Sequence, residues 1–196
     1  MESELNPLDL YAVEEAVRIK ERLGEDTEVT IISMGPASAV EAIKEAIVMG
    51  CDRGYLLCDR RFAGADTLAT AYALSAALRK LGPFDLILAG LRATDGETGQ
   101  VGPSVAAQLG VPVLTYVSKI EDLGSGSIRV ERTVEGGVEI VECGLPAVVT
   151  VVKAINEPRV PRFKGKMKAK RAEIPLLLPM WTLGLSKIRK SEPAAE

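Results

Sequence analysis

Apolar positions recur at two spacings along this chain, and the alternation between them lays out most of its elements. After Asn6-Pro7-Leu8-Asp9, Leu10, Val13 and Val17 fall on one face while Glu14, Glu15, Arg18 and Lys20 lie mostly elsewhere, which predicts a helix ending near Gly24. Asn6 is placed to cap that helix and Pro7 to start it. Glu28 to Ser33 reads as a buried strand, with Met34-Gly35-Pro36 as the turn off its end. Val40, Ile43 and Ile47 mark a second helix closed by Gly50, and Tyr55 to Cys58 a short strand. Asp66 opens a third helix whose apolar face is Leu68, Ala71, Tyr72 and Leu78, stopped by Gly82-Pro83. Asp85 to Gly90 is the next strand, Val101 to Leu109 the next helix, and Val111 to Val117 again extended.

Strands alternating with helices of these lengths predict an α/β fold: a doubly wound, mostly parallel sheet with helices on both faces. After Tyr116 the pattern changes. Gly124-Ser125-Gly126 and Glu135-Gly136-Gly137 separate extended runs that read as antiparallel hairpins, and Val148 to Val152 is apolar enough to return to the main sheet. Residues 1–155 therefore read as one α/β domain with a hairpin extension. From Asn156 the core periodicity is lost, and Pro158 and Pro161 predict an extended, exposed arm over 156–185, followed by a polar tail over 186–196.

Composition narrows the chemistry. The chain has 196 residues and no histidine, so Ser-His hydrolysis, Cys-His proteolysis and His-ligated zinc lie outside its own side chains. Cys51, Cys58 and Cys143 are odd in number and lack the close pairing of a zinc or redox motif, and read as reduced thiols. A net charge of −3 argues against a general nucleic-acid partner. No apolar run is long enough for a membrane span, so the expected location is cytoplasmic. The one basic concentration is Lys164 to Arg171, which as charge alone is equally a solvated face.

The candidate site is Asp95, Gly96, Glu97, Thr98, Gly99, Gln100, Val101, Gly102, Pro103 and Ser104, set between a strand and a helix. Its glycines admit close backbone approach, and amides from Thr98 to Val101 with the Thr98 hydroxyl are suited to a phosphate at a helix N-terminus. A plain helix start that uses glycines for turning explains the same residues. Met34-Gly35-Pro36 and this loop both follow strands, so both belong to the carboxyl edge of the sheet, where ligands bind in such folds.

Asn6 to Ala16, Phe62 to Thr67, Asp95 to Pro103, Asn156-Glu157-Pro158-Arg159 and Met167-Lys168-Ala169-Lys170 resemble, in order and spacing, the electron transfer flavoprotein beta subunit. The resemblance implies an adenine-nucleotide alpha hydrolase-like fold and a heterodimer with an alpha subunit. It also implies AMP, or a second FAD in electron-bifurcating relatives that use NADH, bound in this chain, with FAD shared with the alpha subunit. The chain would be an electron-carrier subunit rather than an enzyme. Nucleotide contacts carried over by motif are Asn6, Pro7, Leu8, Asp9, Met34 and Asp95 through Ser104, with Asn6 to Asp9 and Met34 toward the adenosine. The arm resembles a loop that offers an apolar residue to an acyl-CoA or related flavin dehydrogenase; Phe163 stands there, flanked by Arg162, Lys164 and Lys166. By residues alone, Asn6 is also a helix cap, Met34 a packed gap-filler, and Phe163 a ring packed on its own domain.

Two departures accompany the resemblance. Family chains begin with an apolar strand before the Asn-Pro motif, whereas Met1 to Leu5 precede it here, so an N-terminal strand is expected to be missing. Thr133 stands where some relatives carry a carboxylate that pairs with an arginine of the alpha subunit. Other readings of the same pattern are a stand-alone adenine-nucleotide-binding stress or signalling module and, less well supported, an adenylylating enzyme, for which no phosphate-activating lysine motif is present.

Overall fold

The computed structural model describes residues 5–24, 26–94, 96–124, 126–160 and 163–177, and for Phe163 and Lys164 only the backbone. Helix α1 (Asp9–Leu23) leads to strand β1 (Thr30–Met34), α2 (Val40–Met49), β2 (Arg53–Leu57), α3 (Thr67–Leu81), β3 (Leu86–Gly90) and α4 (Val101–Leu109). Then follow β4 (Val113–Leu123), β5 (Ser127–Val134), β6 (Gly137–Gly144), β7 (Ala147–Val151), α5 (Phe163–Arg171) and β8 (Leu176–Leu177).

The fold is α/β, with its parallel strands in two sheets. One is ordered β1-β2-β8 and the other β3-β7-β4-β5-β6. Strand β7 runs parallel between β3 and β4, Gly90 beside Val151 and Val113 beside Val148, and all five of its residues are buried. The expected hairpins are β4 to β6, antiparallel throughout. Among the described residues no strand pairs with the second edge of β1 or of β3. Helix α1 packs on β3 and β7 and also meets α2, while α3 packs on β1, β2 and α4, so both helices bridge the two sheets. They do so on opposite faces: Ala12 of α1 joins Val149 and Val151, whereas Ala71 of α3 joins Val148.

Three expectations need correction. Glu14 was placed with the polar face of α1 but is only 2% exposed, because arginines reach it from two sides. Leu68 and Tyr72 were placed inward on α3 but are 67% and 56% exposed; the small residues Ala71, Ala73, Ser75 and Ala77 face the core and let the helix sit close.

The segment after residue 155 is not extended along its length. Residues 156–160 lie along α1, with Asn156 Nδ2 donating to the Tyr11 carbonyl and to Glu15 Oε2, 3.0 Å each. Residues 163–171 then form α5, packed on α2, and β8 adds to β2. Lys, Met, Ala and Arg in this stretch are good helix formers, and the buried Ala169, with Gly165 against the Val48 carbonyl, gives α5 a flat face to lay on α2. Lys168 Nζ donates to the Cys51 carbonyl at 2.9 Å and to Asp52 at 3.2 Å. Asp52 also takes Lys20 at 2.5 Å, so one carboxylate ties α1, the start of β2 and α5 together.

Candidate functional site

The carboxyl ends of β3 and β7 collect most of the residues expected to form the site. At the first, the chain entering α1 crosses the end of β3. Gly90 N donates to Asp9 Oδ1 at 2.8 Å, and Asn6 Nδ2 donates to Asp9 Oδ2 at 3.0 Å and to the Arg92 carbonyl at 2.9 Å. The approach requires glycine at 90: a Cβ there would stand 2.5 Å from Asp9 Oδ1 and 2.8 Å from the Leu8 carbonyl carbon. Burial pushes the Asp9 carboxyl above its ordinary range, and the bonds from Asn6 and Gly90 offset this only in part.

Asn6 does not cap α1 with its side chain. Leu8 occupies the capping position, while the Asn6 carbonyl accepts from the Asp9 and Leu10 amides and Pro7 lies in the turn before the helix. With both amide hydrogens of Asn6 used on Asp9 and Arg92, its Oδ1 is buried without a partner. A buried acceptor left unpaired costs about 1–3 kcal/mol, and a ligand N–H or O–H would remove that cost.

The second group is the loop before α4. Glu97 and Gly99 take left-handed backbone at φ 47° and 64°, which turns the chain into the helix. Thr67 donates its hydroxyl to Thr98 Oγ1 at 3.2 Å and Gln100 N donates to the same oxygen at 3.4 Å, leaving the Thr98 O–H to donate. Helix α4 begins at Val101 with no side chain capping it, whereas Asp66 Oδ1 accepts from the Ala69 amide and closes the start of α3. The Val101 and Gly102 amides are therefore presented as donors, and Pro103 has none to offer. Gly102 is the close-approach residue here, since a Cβ would meet the Thr150 methyl at 2.5 Å. Ser104 directs its amide to the Gln100 carbonyl, inside the helix.

The two groups adjoin through Leu91 and Arg92: Asn6 bonds Arg92, and Gly99 lies 3.5 Å, measured from an added Cβ, from the Leu91 carbonyl. Met34, at the end of β1, is half-buried against the cluster of Leu57, Ala73 and Ala77 in the other sheet, which is the packing alternative. Gly96 and Glu97 are exposed. Asp95 and Arg162 lie outside the described residues, as do the side chains of Phe163 and Lys164; Lys166 is exposed on α5.

Reading the sequence missed two participants in the site, Gly90 and Thr67, and also the pair Glu14 and Arg159 that fastens residues 156–160 to α1. Among the described residues the last two form the most connected polar pair, with Arg159 Nε 2.8 Å from Glu14 Oε2 and Nη1 2.6 Å from Glu21 Oε1, while Arg18 adds 2.7 Å to Glu14 Oε1. Burial alone would raise the Glu14 carboxyl, but the hydrogen bonds from Arg159 and Arg18 outweigh it and hold Glu14 below its ordinary range. Both residues sit inside the motifs Asn6 to Ala16 and Asn156 to Arg159, which was the available signal.

A family model described as "Electron transfer flavoprotein domain" matches residues 1–177. The electron transfer flavoprotein subunit beta of Thermoanaerobacterium thermosaccharolyticum is 50% identical over 165 residues, 84% of this chain and 62% of that protein. Its counterpart from Megasphaera elsdenii is 44% identical over 178 residues, 88% of this chain and 65% of that protein. The caffeyl-CoA reductase-Etf complex subunit CarD of Acetobacterium woodii is 45% identical over 165 residues, covering 84% and 62%. The chain thus spans less than two thirds of the length of these relatives. A fold with its glycine loop at the carboxyl edge, matched by the family model over nine tenths of its length, belongs to the electron transfer flavoprotein family, among the relatives of its beta subunit.

Proposed function

We propose that this chain is the beta subunit of a heterodimeric electron transfer flavoprotein, holding an adenine nucleotide, AMP or FAD, at the carboxyl edge of β3 and β7. The observation that carries the reading is the unpaired Asn6 Oδ1 beside the uncapped start of α4. The first is an acceptor suited to the adenosine end, and the second a pair of amides suited to phosphate. Thr98 adds a hydroxyl to the phosphate, and the bond from Thr67 fixes its direction. Asp9, bound to Gly90 N and Asn6 Nδ2, orients Asn6 and so aims Oδ1. When bound with the partner, the flavin supplies one- and two-electron chemistry; this chain's residues bind, orient and exclude water, consistent with a chain that carries no histidine.

The electrons come from a flavin dehydrogenase docked where the chain enters α5, with Phe163 as apolar anchor and Arg162, Lys164 and Lys166 steering an acidic surface. The test is to express the full natural chain with the neighbouring subunit gene, purify the complex and separate the released nucleotides. One FAD with one AMP per heterodimer, or two FAD, supports the reading. An adenine nucleotide with no flavin and no alpha partner overturns it, in favour of a stand-alone nucleotide-binding module.

A further inference from the structure

Helix α5 holds the basic concentration of the chain, and its side chains face two ways. Gly165, Lys168 and Ala169 turn toward α2: Ala169 is buried, Lys168 Nζ donates to the Cys51 carbonyl at 2.9 Å, and a Cβ at Gly165 would run into the Val48 backbone. At helical spacing the opposite face is Lys166, Met167, Lys170 and Arg171, all exposed. Three cations set around a methionine that is 42% exposed suit a partner surface that is acidic with an apolar centre.

Apolar packing does not by itself fix how α5 sits. Gly165 and Ala169 are small, and beside them a cavity of about 380 Å³ is lined by Ile47 to Gly50, Arg159 and Lys168. Few dispersion contacts oppose a tilt of such a helix. The tether is polar. Lys168 Nζ also lies 3.2 Å from Asp52 Oδ1, and Asp52 is itself held from two more sides, by Lys20 Nζ at 2.5 Å from each oxygen and by the Val29 amide at 2.9 Å. Asp52 is therefore the fixed end of the tether and Lys168 the end that moves with α5. The Cys51 carbonyl just beyond α2 adds a second acceptor, where the helix dipole favours a cation. With its charge engaged there, Lys168 stands apart from the outward set.

We propose that Asp52 is a positioning residue for partner docking: through Lys168 it sets the tilt of α5, and so the place at which Lys166, Met167, Lys170 and Arg171 meet an acidic surface of the dehydrogenase. The inference rests on the docking reading above. Its sign distinguishes it from attraction by charge alone. Removing the Asp52 charge makes this region more positive, which by field alone draws an acidic partner more strongly. As a positioning residue Asp52 has the opposite effect, because Lys20 and Lys168 then face each other without the carboxylate between them and α5 leaves its seat.

The test uses the full natural chain in its complex with the alpha subunit. An acyl-CoA dehydrogenase reduced by its acyl-CoA is the probe, and reduction of the FAD in the complex gives kcat and the KM for the complex. Amide hydrogen exchange over residues 163–171 reports the seating of α5 without any partner. In Asp52→Asn the KM is expected to rise about fivefold, the most that a half-exposed ion pair supplies, with kcat and FAD content unchanged and exchange faster over 163–171 alone. Gly165→Ala changes no charge but forces α5 away from the Val48 backbone, and is expected to raise the KM in the same way. An unchanged or lowered KM in D52N overturns the assignment, as does a raised KM with native exchange over 163–171 or with exchange faster throughout the chain. No saturable reduction of the native complex removes the docking reading, and this assignment with it.

Discussion

Arg159 Nε lies 2.8 Å from Glu14 Oε2, joining residues 145 positions apart around a carboxylate that is 2% exposed. The Arg159 amide donates to the same oxygen at 3.1 Å, so backbone and side chain together fasten residues 156–160 to α1. Removing the guanidinium leaves Glu14 buried with Arg18 as its remaining arginine. Arg159→Ala is therefore expected to destabilise the protein by about 3 kcal/mol, read from urea unfolding. Arg159→Lys, which cannot reach Glu14 and Glu21 together, recovers less than half of that. A loss under about 0.5 kcal/mol, the range of an exposed pair, would show that the contact is a surface one.

The same pair sets an acid limit. Because its hydrogen bonds hold Glu14 below the ordinary carboxylate range, the folded chain binds that proton less tightly than the unfolded chain. The resulting stability is fully present above the ordinary range, about pH 4 to 5, and is lost as pH falls through the depressed value. Asp52, held low by Lys20, the Val29 amide and Lys168 against its own burial, acts with the same sign. Denaturant unfolding followed from neutral to acid pH is expected to show stability falling steadily, and Glu14→Gln to flatten that limb. An equal slope in both proteins would place the acid sensitivity elsewhere.

How far these features are legible in the sequence depends on their range. Helix α4 occupies Val101–Leu109, the expected bounds, because the glycines before it and Gly110 after it act locally. Asp66 caps α3 as expected for the same reason. Glu14 was misplaced because its partner is distant in sequence, and periodicity on one helix carries no information about what crosses it. Leu68 and Tyr72 misled because α3 uses alanines, which are weak in any hydrophobic count, to pack closely. In α5 the prolines before the helix dominated the reading, while the packing that favours it comes from α2. At the site, the glycine loop was visible, but the unpaired Asn6 Oδ1 emerges only once Asp9 and Arg92 have claimed the amide hydrogens.

Gly90 gives a separate test of the crossing between α1 and β3. A methyl group at this position would collide with Asp9 Oδ1, the end of a side chain held by hydrogen bonds from Gly90 N and Asn6 Nδ2, and with the backbone of Leu8 and Asp9, which cannot swing aside. Gly90→Ala is expected to cost about 2 kcal/mol and to shift Asn6. Calorimetry with AMP on the nucleotide-stripped complex should accordingly show weaker binding together with the lower melting temperature. Native AMP affinity in G90A would remove Asn6 and Asp9 from the binding site.

Asn6→Ala isolates the orphan acceptor. The substitution removes Oδ1 and both donated bonds, so part of its effect is structural. Asn6→Asp supplies the control: it retains an acceptor at the same place but sets a second carboxylate against Asp9, whose carboxyl burial already pushes upward. Two carboxylates at hydrogen-bond distance share a proton, so N6D is expected to bind AMP more tightly as pH is lowered. In N6A the affinity is lower by about tenfold, one hydrogen bond's worth, and changes little over the same pH interval. Titration at two pH values separates the outcomes: parallel behaviour of N6A and N6D would mean that Asn6 serves only to hold Arg92, and that adenosine is recognised elsewhere on the edge.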